Sequence, residues 1–182
     1  MNKKDLMNKL SKYWLEEIVI GLDLCPFAKI PYEKGLVRFI ESECTDFDEQ
    51  RGIFLDEIEL INESPDSEIA TTLIAFTDDG QSFLDFNDFI GVCEEIIEDL
   101  ELQEDFQLAL FHPEYVFEKT QTNDRINFIG RSPFPVIHIL RNADIERATK
   151  KSTDGESITI RNEKRLKALS EDEIKKIFHF LY

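Results

Sequence analysis

The stretch that most constrains this chain is the run from Ile69 to Phe76, IATTLIAF. It carries no charge and is rich in β-branched side chains, so it reads as a strand buried in the middle of a sheet. A buried strand needs paired edges and apolar cover, and its neighbours supply both. Residues 36–41 (LVRFIE) and Phe106–Phe111 (FQLALF) read as further strands. Pro135–Leu140 reads as a fourth, with the first turns of a helix as the other reading of that segment.

Helices lie between these runs. Leu6, Leu10, Trp14, Ile18 and Leu22 recur at helical spacing, which predicts a helix over residues 4–22. It stops before Cys25-Pro26, because a proline disfavours helical backbone in the residue before it and cannot donate its own bond. Thr45 with Asp48 resembles a capping box, ahead of a helix burying Phe54, Ile58 and Ile61. Ser82 with Asp85 caps a third helix, with Phe86, Phe89, Ile90, Cys93, Ile97 and Leu100 along one stripe. Asn142 is expected to cap a short helix through Ala148, Ile158–Ile160 reads as a small edge strand, and Ser170 with Glu173 opens a last helix.

Strands alternating with helices of this length imply an α/β or α+β fold, a two-layer sandwich of helices on a four- to five-stranded sheet, with a ferredoxin-like arrangement as the expected topology. With 182 residues and 42% hydrophobic content, the chain is expected to be a single domain. Residues 149–182 read as a C-terminal extension, solvated and modestly basic from Arg147 to Lys167.

Charge narrows the function classes. The formal net charge is -17, so most of the surface repels phosphate backbones and no nucleic-acid partner is expected. No stretch has the apolar length of a membrane span, and Glu16 and Glu17 interrupt what would otherwise resemble a secretory leader, so a cytoplasmic location is expected. Cys25, Cys44 and Cys93 are too few and too widely spaced for a disulfide framework.

Against this acidic background, the segment Arg125–Arg141 holds Arg125, Arg131, Arg141 and His138 and no carboxylate. Guanidinium forks suit a carboxylate or phosphate bound at two points, so these three arginines are the candidate anion-binding residues, with Asp124 in support. The other reading is that the protein's own carboxylates neutralise them, since residues 41–104 hold 21 Asp and Glu against one Arg. His112, at the end of a strand-like run, and His138, within one, are candidate acid–base groups, and Cys25 is a candidate nucleophile. The simpler readings are a core histidine bonded to backbone and an inert buried thiol. No HxxxH, HExxH or CxxC spacing is present, so no metal is assigned, and no motif identifies a cofactor.

Several of these pieces together resemble the domain of unknown function 1415 family over about residues 14–148. They are Leu24-Cys25-Pro26-Phe27-Ala28, Thr71-Thr72-Leu73-Ile74, Phe111-His112-Pro113 with Tyr115 and Phe117, and Arg131-Ser132-Pro133-Phe134-Pro135 leading to His138 and Arg141. The resemblance marks Cys25, His112, Asp124, Arg131, His138 and Arg141 as positions of the pattern, and it implies no reaction or substrate. Gly130 stands where the pattern has Asn, which removes a side-chain amide there.

The function expected is a small-molecule enzyme or binding protein that holds an anionic metabolite in an Arg/His/Cys pocket. Two alternatives stand beside it. One is a noncatalytic module whose acidic face binds a basic partner. The other is a thiol-dependent redox protein using Cys25, since C-P-F-A resembles monothiol redox motifs; that fold places a strand ahead of the cysteine, where this sequence predicts a helix.

Overall fold

The computed structural model describes residues 2–77, 81–151 and 157–182. Helix α1 (Lys3–Tyr13) starts at Asn2, whose side chain accepts the Asp5 N–H, and runs on into a π-helical stretch, Trp14–Ile20. A turn through Cys25 and the short helix α2 (Lys29–Glu33) lead to strand β1 (Val37–Ser42). Then come α3 (Phe47–Glu63), β2 (Thr71–Phe76), α4 (Phe83–Asp99) and β3 (Phe106–Phe111). After a long connection containing a 3-10 turn, Arg125–Ile129, the chain forms β4 (Val136–Arg141), α5 (Asn142–Lys151), α6 (Ile158–Ala168) and α7 (Glu171–Ile177).

The fold is α+β. Its sheet has the order β1-β2-β4-β3, with β1 and β2 parallel and β4 antiparallel to both β2 and β3. The chain order is β-α-β-α-β-β, which differs from the β-α-β-β-α-β of a ferredoxin-like unit. The charge-free run does become β2, buried along its whole length.

Alternation along β2 and β4 divides the apolar side chains between two cores. Ile74, Phe76, Ile137 and Ile139 point to α3 and α4, meeting Phe54, Ile58, Phe86, Phe89 and Cys93. Leu73, Ala75 and Val136 point the other way, to Trp14, Leu15, Ile18 and Phe128 and to Leu166, Ile174 and Phe178 from the C-terminal helices. The expected helical layer on the sheet is therefore present, and a second packs on the opposite face. Residues 158–182, read from sequence as part of an extension, belong to that second layer.

Two local expectations are corrected. Ile158–Ile160 begins α6 instead of forming a strand, because the Ser157 side chain accepts the Ile160 N–H and starts the helix. For α3, the cap is Asp46, which accepts the Glu49 N–H, in place of Thr45 with Asp48. The capping boxes Ser82/Asp85 and Ser170/Glu173 form as expected. Among the described residues, no helix is long and apolar enough to cross a membrane.

Candidate functional site

The second face of the sheet is not filled solid. A cavity of ≈ 1040 Å³ lies between the sheet, the π-helical stretch, the Cys25 turn and the start of α6. Trp14, Leu15 and Val19 come from one wall and Leu73, Phe111 and Leu140 from the sheet, so much of the lining is apolar. The Trp14 indole is held in place by donating to the Arg131 carbonyl at 3.0 Å. Single π-helical insertions often coincide with functional sites, and this one supplies three of the lining side chains.

Strand β4 places His138 on the cavity face, opposite Leu73 on β2 and Ala109 on β3. Its protonation follows from its partner. The Thr71 hydroxyl donates to the Ile139 carbonyl at 2.7 Å, so its oxygen can only accept from His138 Nε2, also at 2.7 Å. Nε2 therefore carries the hydrogen and Nδ1 bears a lone pair. Burial pushes the His138 pKa down to about 4, so the ring is neutral near pH 7.

Cys25 lines the same cavity, half-buried, in a turn that brings the Phe27 and Ala28 N–H groups to its sulfur. Burial pushes the thiol pKa up and outweighs those two N–H groups, which pull it down; Asp23 adds to the rise and Arg161 opposes it. The cysteine is thus a neutral thiol at pH 7. The turn itself is tied from a distance, with Asn162 Nδ2 donating to the Leu24 carbonyl at 2.5 Å and Arg161 and Arg165 donating to the Asp23 carbonyl at 3.1 and 2.6 Å.

Among the described residues, four cationic side chains line the cavity, Lys34, Arg141, Arg147 and Arg161, with two carboxylates, Asp66 and Asp144. Both carboxylates are taken up by Arg147, at 3.1 Å to Asp66 and in closer contact with Asp144. Arg141 is committed to structure: its guanidinium donates to the carbonyls of Ile61, Ser64 and Ile69 at 2.6 to 3.2 Å, closing the end of α3 onto the chain leading to β2. Carbonyl partners leave its charge in place. Arg161 keeps a buried Nε with no hydrogen-bond partner, and Lys34 is exposed at the rim.

The other residues picked from sequence lie elsewhere. His112 is buried against Phe83 and Phe86, with Nδ1 accepting the Glu114 N–H at 3.0 Å and Nε2 donating to the Gln81 carbonyl at 3.2 Å. Arg125 donates to the Leu166 and Leu169 carbonyls, docking α6. Arg131 lies over the Phe128 ring, 4.7 Å from its centroid, and donates to the Thr122 carbonyl at 2.6 Å. Asp124 accepts the Gln121 N–H in an exposed loop. Of the seven candidates, the cavity brings together Cys25, His138 and Arg141, and leaves out His112, Asp124, Arg125 and Arg131.

Lys34, Arg147, Arg161 and Thr71 were not picked from sequence. Gly130 also gains a reason, since a Cβ there would fall 2.4 Å from the Tyr115 ring, which fills the space an asparagine would need. Among the described residues, no group of three or more His, Cys, Asp or Glu could hold a metal ion.

Fold and cavity together define an α+β protein with a ligand-sized, cation-lined hollow between its sheet and its terminal helices. The chain belongs to the DUF1415 family, described as protein of unknown function, whose model matches residues 7–176 of the 182. Neither the curated proteins nor the solved structures contain a match.

Proposed function

We propose that this chain binds a small anionic metabolite in the cavity of the second sheet face, as an enzyme or as a binding protein. The observation that carries this reading is the surplus of positive charge around a largely apolar hollow. Among the described residues, half-buried Arg141 and Arg161, and Lys34 at the rim, have no carboxylate partner there, in a chain whose formal net charge is -17. Burying a cation near other cations is unfavourable unless an anion joins them, and a carboxylate or phosphate meets that need. Apolar walls account for most of the contact a small ligand makes, and a few convergent polar groups orient it. In the enzymatic form, His138 Nδ1 serves as proton acceptor and Cys25 as the neighbouring thiol.

The test is a thermal-shift and calorimetric screen of carboxylated and phosphorylated metabolites against wild type and Arg161→Ala. The expected result is a rise in Tm with an anion and at least a tenfold loss of affinity in the variant, about the worth of one charged hydrogen bond. No stabilisation by any anion, with unchanged behaviour in Arg161→Ala, would overturn the reading.

A further inference from the structure

We infer that the ligand of this cavity carries a neutral hydrogen-bond donor, a hydroxyl or an amide N–H, separated from its anionic group by an apolar body, and that His138 Nδ1 receives that donor. The inference rests on the reading of the cavity as an anion site and names the ligand class that site would take.

The hydrogen-bond arrangement around His138 leads to it. Buried His112 and half-buried His138 differ in how their ring nitrogens are used. On His112 both ring nitrogens are engaged by the protein's own backbone. On His138 only Nε2 is engaged, and the Thr71–Ile139 pair fixes it as the donor. Nδ1 is left as an acceptor with no partner among the described residues, on a residue that lines the cavity. His138 is half-buried, and its Nδ1 is not sealed inside the protein. An acceptor in an apolar pocket, unmatched by the protein, favours a ligand that can donate to it and disfavours one that merely removes its water.

Charge selects among donors. An ammonium would also donate to Nδ1, but Arg141, Arg161 and Lys34 line the same hollow and would repel it. A neutral hydroxyl or amide meets no such penalty. Trp14, Leu15 and Phe111 give the hollow apolar walls, which an apolar ligand body would cover. The ligand class is therefore an aromatic or aliphatic carboxylate or phosphate with a hydroxyl or amide at its far end.

The experiment compares matched probes by titration calorimetry: p-hydroxyphenyl acetate, propionate and butyrate anions, the same acids without the hydroxyl, and the p-aminomethyl forms. The expected result in wild type is that one chain length binds roughly five- to tenfold tighter with the hydroxyl than without it, and that the aminomethyl form binds more weakly than either. His138→Phe should bind the hydroxyl and deoxy members equally. Nitrogen-15 NMR of the wild-type histidines supplies a second readout that does not depend on that variant folding. His138 should show a protonated Nε2 and an unprotonated Nδ1 at neutral pH, with the Nδ1 signal moving on addition of the hydroxylated probe. Equal affinity of the hydroxyl and deoxy members in wild type, or an unmoved Nδ1 signal, would overturn this inference while leaving the anion site standing. Failure of every probe to bind, deoxy forms included, would overturn both.

Discussion

On the face covered by α3 and α4, Phe54, Phe76, Phe86 and Phe89 are all 0% exposed, and the charged pair Arg38 with Glu57 is bidentate at 2.5 and 2.8 Å. On the opposite face the same two central strands present Leu73, His138 and Leu140 to a hollow of ≈ 1040 Å³. Side chains alternate along β2 and β4, so successive residues serve opposite ends: Ile137 and Ile139 pack, and His138 between them looks into open space. The contrast shows how one short strand can both hold a sheet together and furnish a binding group. Close-packed interiors rarely leave room of this size, so the space marks the face where function is sought.

If the first face is a packed core, truncation there should be costly. Phe86→Ala is expected to lose about 3–5 kcal/mol in urea denaturation, whereas Leu140→Ala on the hollow side should lose less than the roughly 2 kcal/mol at the low end for a buried leucine. Equal losses would erase the contrast.

Acid should act through the hollow face. His138 takes up its proton in the folded state only near pH 4, and in the unfolded chain near the ordinary 6.5. Its folded pKa is lowered, so the unfolded state binds the extra proton first and stability falls as pH drops through the window from about 6.5 to about 4. The fall approaches roughly 1.4 kcal/mol per pH unit for one group. Urea midpoints of wild type minus those of His138→Phe, followed over that window, should show the slope; parallel curves would remove it.

Arg141 separates structure from binding. Arg141→Ala strands the Ile61, Ser64 and Ile69 carbonyls and should cost on the order of 1–3 kcal/mol with no ligand present, read as a lower thermal midpoint. An unchanged midpoint would mean that the residue serves the cavity alone. The smallest effect concerns thiol chemistry. With its pKa raised by burial, Cys25 should alkylate more slowly than a free cysteine at pH 7, and fully buried Cys93 more slowly still. Fast modification of Cys25 would favour the thiol-redox alternative.

Much of the framework was legible because it is local. The charge-free run became β2, the two serine capping boxes formed, and the apolar stripe of Phe86, Phe89, Ile90, Cys93 and Ile97 is the buried side of α4. The site was legible only in part, because arginine clusters look alike in sequence whether they await an anion or serve carbonyl groups. Arg125, Arg131 and Arg141 all donate to main-chain oxygens, and such acceptors leave no trace in composition. Arg161 was hidden for a different reason. Ile158-Thr159-Ile160 carries strand-like side chains, and only the Ser157 cap and the packing of Leu166 turn that stretch into a helix against the second core. Nothing near it in sequence announces its contact with Asp23, or that of Asn162 with Leu24, each 138 residues away.

That long reach has a consequence for biosynthesis. The Cys25 turn emerges during translation well ahead of Arg161, Asn162 and Arg165, which anchor it. A nascent chain can pair its strands and settle α3 and α4 first, but the pocket wall stays unfinished until α6 has been made. A ribosome stalled before residue 158 would therefore display a sheet with one finished side and a second side lacking the α6 wall of the cavity.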